Sequence, residues 1–354
     1  MRIVYNSFHG RYSDNPRAIY QRLRGRPGIE HVWLSDPVHQ DGFPSDATTV
    51  DIDGPEARVA LEAADLVIAS SHTEVEWEKQ PGTTYLQTWH GTPLKRVHRD
   101  VLWAPPGRLD ELDVDIAKWD LLLSPNAIST PRLRKAFAYD GEVLESGYPR
   151  NDLLNLPEQE QVRAEVRRQF GIDDAVTTVL YAPTWRDDEV QLDPTAELPL
   201  ALDPAAFAAA LGRDHALLFR SHYLATGRSK VAATPGVHDV SYHPDINELY
   251  AAADVMVTDY SSTMFDFAIT GRPIVFYPYD HDRYGDIVRG FYFELGPDDA
   301  PGPIVMTQSD LLETLAGLPR TREQYADRYR AFRRTFTDLE DGHATDRVLE
   351  RLGL

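Results

Sequence analysis

Cysteine is absent from the 354 residues of this chain. That removes disulfides, thiolate metal sites and cysteine nucleophiles, and a reducing cytoplasm fits best. Long apolar runs are absent as well: none approaches the roughly 18 residues needed to cross a bilayer. The opening MRIVYNSFHG, with one basic residue and no sustained apolar core, reads as a first strand rather than a signal peptide. Positive charge is in deficit. Lys and Arg number 36 against 56 Asp and Glu, for a formal net charge of −20, which argues against nucleic acid as a global partner because phosphate backbones need a positive face. A small phosphate ligand remains compatible, since charges beyond about 8 Å from a site are largely screened at physiological salt. Also missing are GxxxxGK followed by Ser or Thr, GxGxxG, HExxH and GxSxG. These absences argue against P-loop ATPases, standard dinucleotide enzymes, zincins and nucleophile-elbow hydrolases.

What is present is an ordinary globular composition, 42% hydrophobic and 26% charged, on a chain long enough for two domains of about 150 to 180 residues each. Apolar runs alternate with helical periodicity. In the first half, strands are expected at 3–8, 31–34, 66–69, 84–89 and 121–123, with helices at 15–23, 56–64 and 130–138. The stretch around 147–157 is expected to be the boundary, followed by a charged helix at 158–170. A second alternating set then places strands at 178–181, 217–219, 255–257, 274–277 and around 304–306, with helices at 204–211, 246–253, 263–269 and 310–318. Strands alternating with helices predict an α/β fold of two doubly wound parallel sheets. The expected layout is an N-terminal Rossmann-like domain at 1–150, a C-terminal one at 151–335 and a helical tail at 336–354. Ligands of such sheets bind outside the carboxyl ends of strands, so a cleft between the halves is the expected place for chemistry.

Four strand ends carry groups suited to phosphate. AAADVMVTDYSSTMFDFAITGRPIVFYPY reads as strand, turn, helix and strand; Asp259, Ser261 and Ser262 stand at the turn, either serine suits an N-cap, and free N–H groups of a helix start receive phosphate. YAPTWR brings Arg186 to a second end, and FRSHY brings Arg220 and His222 to a third. TWHGTPLK holds His90, a side chain whose ordinary pKa suits proton abstraction near neutrality; Pro93 suits a helix start with Lys95 and Arg96 in its first turns, expected on the acceptor side together with His90. Each taken alone fits a structural role, whereas Arg186, Arg220, His222 and the serine turn together can neutralise a diphosphate without metal. Asp113 and Asp115 form a DxD pattern, but in so acidic a chain such pairs recur by chance, and no metal or other cofactor is expected. The stripe Tyr325, Tyr329, Phe332, Phe336 is expected to pack on a domain face, with a membrane-surface helix as the other reading. The basic run Arg11, Arg17, Arg22, Arg24, Arg26 fits a solvated helix face or an anionic surface equally.

NSFHGRYSDNPRAIY, TWHGTPLK, YAPTWR, FRSH, HPDINELYAAADVMVTDYSSTMFDFAITGRPIVFYPYD and RGFYFEL, in that order, resemble the CDP-glycerol glycerophosphotransferase family of teichoic acid primases and polymerases, from about residue 2 to about 335. The resemblance implies the two-Rossmann GT-B fold and transfer of glycerol phosphate from CDP-glycerol to a hydroxyl of a lipid-linked acceptor at the cytoplasmic membrane face, releasing CMP. It implies His90 as general base, Arg220 and His222 on the donor phosphates, Ser261 and Ser262 as the helix-end cradle, and Asp245 to Glu248 near the nucleoside. The larger polymerases carry a membrane-associating N-terminal region, so a primase-sized or stand-alone member is expected. The alternatives are a GT-B transferase using CDP-ribitol, another polyol phosphate or a nucleotide sugar for wall or capsule polymers, and a non-catalytic nucleotide-binding scaffold.

Overall fold

Residues 1–184, 200–221, 231, 233–280, 290–293 and 296–354 are described by a computed structural model. Arg186, His222 and most of the acidic stretch 187–200 lie outside the described residues. The chain divides into two compact units, one of Met1–Pro93, Val97–Asp152 and Asp338–Leu354, the other of Leu94–Arg96 and Leu153–Thr337.

In the first unit, β1 (Arg2–Asn6), β2 (Glu30–Ser35), β3 (Thr49–Asp51), β4 (Leu66–Ala69), β5 (Thr84–Gln87), β6 (Leu121–Ser124) and β7 (Glu142–Glu145) form a parallel sheet in the order β3-β2-β1-β4-β5-β6-β7. Helices α1 (Asp14–Leu23), α2 (Pro55–Glu62), α3 (Arg108–Ile116) and α4 (Ser129–Phe137) connect the strands. Residues of β1 alternate between two cores: Ile3 and Tyr5 pack with Ile19, Trp33 and Leu123, whereas Val4 packs with Val67, Tyr85 and Leu122. A strand buried on both faces has to be apolar throughout, which is why IVY reads as a run rather than an alternation.

In the second unit, α5 (Glu158–Gln169) leads into a sheet of β8 (Thr177–Ala182), β9 (His215–Phe219), β10 (Val237–Asp239), β11 (Val255–Thr258) and β12 (Ile274–Phe276), ordered β10-β9-β8-β11-β12 and parallel. Val179 and Tyr181 face one core, Leu180 and Ala182 the other. Among the helices, α6 (Pro204–Leu211) starts where the Asp203 carboxylate accepts the Ala205 N–H and Pro204 fills the first turn, and it stops at Gly212, whose φ is +64°. Further along come α7 (Ile246–Ala252), α8 (Thr263–Ala268), α9 (Gln308–Ala316), α10 (Leu318–Gln324) and α11 (Ala326–Phe336). Ile304 makes a single bridge to Phe276 instead of the strand expected there.

The aromatic stripe packs inward from Tyr329 to Phe336. Phe332 stacks on Phe265 with centroids 5.4 Å apart, and Phe336 lies 4.9 Å from Phe265. The helical tail expected at 336–354 is not continuous with α11: a break after Phe336 precedes α12 (Ala344–Leu352), which buries Val348 and Leu349 beside Ile19 and Leu23 of the first unit. Of the basic run, Arg22 pairs with Asp346 at 3.0 Å and Arg24 with Asp46.

Candidate active site

The first sheet reverses direction at β1 and β4, and the polar residues cluster where those strands and β5 end. Asn6 Nδ2 donates to Thr73 Oγ1 at 3.1 Å, and Ser70 and Ser7 hydroxyls meet at 3.1 Å. Beyond β5 the chain turns through Trp89, whose φ of +52° is unfavourable for a non-glycine residue. The turn is held from both sides: Trp89 N–H donates to Gln87 Oε1 at 2.9 Å, and Asn15 Nδ2 donates to the Trp89 carbonyl at 3.0 Å. Strain of this kind persists only where the surroundings over-determine it.

That turn delivers His90 with its ring between Phe8 and Trp89, at centroid distances of 5.0 and 4.2 Å. Nδ1 lies 2.6 Å from the Ser70 carbonyl oxygen. A carbonyl only accepts, so Nδ1 carries the hydrogen and, in the neutral ring, Nε2 carries the lone pair. Nε2 has no hydrogen-bond partner among the described residues. Burial, opposed by the Ser70 bond and aided by the Arg150 and His72 charges, lowers the His90 pKa to about 4. The imidazole is therefore neutral at pH 7. Arg150, itself buried, donates to the His90 carbonyl at 2.9 Å and pairs with Asp14 at 2.5 Å, with side-chain exposures of 7% on both sides. Its backbone N–H donates to Asn15 Oδ1 at 3.1 Å.

In the second unit the reversal lies between β8 and β11. Asp259, next after β11, accepts from the Thr184 N–H at 2.8 Å and its own neighbour Tyr260 N–H at 2.7 Å, tying the two strand ends together. Arg220 follows β9, its N–H donating to Tyr181 O at 2.9 Å. With neighbouring strands about 4.8 Å apart, Arg220, Thr184 and Asp259 occupy three adjacent strand ends over roughly 10 Å. Arg220 Nη1 donates to the His243 carbonyl at 2.7 Å. His243 in turn lies 3.5 Å from Glu248, and Asp245 caps α7 by accepting the Asn247 N–H at 2.8 Å. Burial lowers the His243 pKa, against the pull of Glu248.

Two details differ from the sequence reading. Ser262, in helical conformation, makes no side-chain cap; Ser261 Oγ instead accepts the Thr263 N–H at 3.3 Å, and the helix it opens spans six residues. No helix follows Pro93. Lys95 bridges Phe291, Tyr292 N–H donates to Leu94 O at 2.9 Å, and Arg96 N–H donates to Gly290 O at 3.1 Å. Extended pairing satisfies this backbone in place of a helical turn, although Thr92 and Pro93 would suit a helix start. The Phe291 ring then lies 5.6 Å from Tyr260, so Lys95 and Arg96 belong with the Asp259 to Ser262 end, not with His90 in the first unit. Asp113 and Asp115 point to different partners on α3, Asp113 to His98 at 2.7 Å and to Arg99, Asp115 to Tyr85 at 3.1 Å and Trp119 at 3.0 Å.

Sequence reasoning missed Ser70, Asn15, Asp14 and Arg150 around His90, and His243 beside Arg220. Arg150 sat in the stretch expected to be a linker, 60 residues from the histidine it supports. His243 stood in the HPDINELY run without a role of its own.

The whole chain, residues 1–354, matches the model of the family described as CDP-glycerol:poly(glycerophosphate) glycerophosphotransferase. It is 35% identical over 360 residues to the teichoic acid glycerol-phosphate transferase of Staphylococcus aureus, covering 99% of this chain and 92% of that one. Identity to the teichoic acid poly(glycerol phosphate) polymerase of Staphylococcus epidermidis is 34% over 357 residues, 98% of this chain but 49% of the relative, so the chain spans about half that polymerase. The solved structure of the wall teichoic acid polymerase TagF superposes with a TM-score of 0.91 at 34% identity, covering 99% of this chain and 88% of that one; a TagF histidine variant has also been solved after soaking with CDPG. The fold is therefore of the GT-B class, and the chain is an enzyme belonging to the CDP-glycerol:poly(glycerophosphate) glycerophosphotransferase family.

Proposed function

We propose that this protein transfers glycerol phosphate from CDP-glycerol to a hydroxyl of a lipid-linked, teichoic-acid-type acceptor and releases CMP. The observation that carries the reading is the state of His90: neutral, with Nδ1 engaged by Ser70 and Nε2 left as a proton acceptor. Nε2 takes the proton of the acceptor hydroxyl, the oxygen attacks the phosphorus bearing the glycerol, and the bond from that phosphorus to the bridging oxygen breaks. CMP departs with the electron pair. Negative charge on the phosphoryl oxygens is met by Arg220, with Arg186 and His222 as further donors, and by the Ser261 and Ser262 turn, while Asp259 holds that turn against Thr184. Lys95 and Arg96 add positive charge at the same end. The lipid-linked acceptor places the reaction at the inner face of the membrane; among the described residues no helix is long and apolar enough to cross one.

Mass spectrometry of products after incubation with CDP-glycerol, CDP-ribitol and a lipid-linked acceptor tests this. The expected result is CMP together with an acceptor heavier by one glycerol phosphate. Transfer from CDP-ribitol alone would reassign the donor, and no CMP with any donor would leave a binding scaffold.

A further inference from the structure

Phosphate chemistry in this family belongs at the carboxyl ends of the strands, yet the second unit also gathers positive charge at the opposite end of its sheet. Beside the amino end of β12 lies a pocket of about 200 Å³, walled by α10 and α11. Part of its wall is main chain: Gly302 packs so closely on β12 that a Cβ there would stand 1.8 Å from the Ile274 carbonyl oxygen. The inward packing of Phe332 and Phe336 sets the rotation of α11. That rotation turns Tyr329 and Arg333 to the pocket, which Arg322 of α10 and Tyr325, between the two helices, also line.

The charges in it are unusual for this protein. Although acidic residues outnumber basic ones by 56 to 36, no carboxylate is among the described residues lining the pocket. Arg330 pairs with Asp327, but Arg322 and Arg333 have no carboxylate partner among the described residues. Arg333 Nη1 lies 3.5 Å from where a Cβ on Gly271 would be, and its Nε is buried without an acceptor. A buried N–H without an acceptor is unfavourable, and an anion supplies one.

We propose that this pocket binds a phosphoryl group, monoester or diester, between Arg322 and Arg333, with the Tyr325 and Tyr329 rings lining the space for its organic stem. The site is separate from the transfer site and does not depend on the reaction proposed above. Its ligand is a soluble phosphate ester or a phospholipid headgroup, two sources of one chemistry.

Calorimetric titration of the full chain with inorganic phosphate, with sn-glycerol 3-phosphate and with phosphatidylglycerol vesicles, in the absence of CDP-glycerol, tests it. R322Q/R333Q is expected to bind about ten- to hundredfold more weakly than the unmodified chain, R322K/R333K to retain most of the affinity, and R220Q to leave this binding event unchanged. Binding of the two small anions without vesicles assigns a soluble ligand, and binding of vesicles as well assigns the headgroup. Equal affinity in R322Q/R333Q and the unmodified chain, or no binding of any of the three probes, overturns the site. Because no donor is present, loss of transfer activity and loss of this binding are read separately.

Discussion

His90 donates its Nδ1 hydrogen to the main-chain oxygen of Ser70 at 2.6 Å. Ser70 follows β4 and His90 follows β5, so the register of two neighbouring strands chooses the tautomer of the histidine. Had the acceptor been a carboxylate, the bond would have stabilised the imidazolium strongly; a neutral carbonyl orients the ring while leaving it uncharged.

Replacing His90 by Ala is expected to lower kcat by about 10²- to 10⁴-fold with little change in donor affinity. Steady-state kinetics with purified donor and acceptor check this, and a variant with near-normal turnover refutes the base assignment.

The His90 pKa, lowered to about 4 by burial, means that the ring stays neutral through the range near 6.5 where a free histidine titrates. On acidification the unfolded chain takes up this proton first. The stability associated with the neutral buried ring is therefore complete above about 6.5 and declines as pH falls from there towards about 4. An NMR titration of the His90 ring protons should show no inflection near neutrality in the free protein, and an inflection at 6 to 7 contradicts the enclosed, Ser70-bound ring.

Arg150→Met removes one partner of a pair exposed by only 7% on each side and leaves Asp14 charged and enclosed. Such a loss is expected to cost about 3–5 kcal/mol, with most of it recovered in the double variant Asp14→Asn, Arg150→Met. Denaturant unfolding of the four proteins closes the cycle; an additive double variant argues against coupling.

Asp259→Ala leaves the N–H groups of Thr184 and Tyr260 without the oxygen they share. About 1–3 kcal/mol is expected for each buried donor left unsatisfied, and CDP-glycerol binding should weaken because the ends of β8 and β11 lose their tie. Titration calorimetry beside unfolding separates the effects, and unchanged donor affinity removes Asp259 from the site.

Phe265→Ala opens a hole beneath Phe332 and Phe336, for an expected loss of about 3–5 kcal/mol. A stability change below 1 kcal/mol by the same denaturant method, roughly the scale of an exposed contact, contradicts the stripe's place in the core.

Local pattern was sufficient for much of the chain. Leu66–Ala69 and Pro204–Leu211 have the bounds expected from apolar runs, Pro and Gly, because a doubly buried strand must be apolar and a helix terminates where its backbone changes hand. The edge strands Thr49–Asp51, Glu142–Glu145 and Val237–Asp239 escaped notice because each faces solvent enough to carry polar residues and has no apolar run. The residue types for phosphate and proton transfer, His90, Arg220, Asp259 and the serines, were likewise visible as chemistry at strand ends. Their settings were decided by tertiary structure. Ser70 and Arg150 reach His90 from positions 20 and 60 residues away, Asn15 reaches the Trp89 carbonyl beside it from 74 residues away, and Lys95 forgoes a helix to pair with Phe291. A side chain's identity fixes what protons it can hold, but its ionisation and aim depend on burial and on partners that only the folded sheet brings within hydrogen-bond reach.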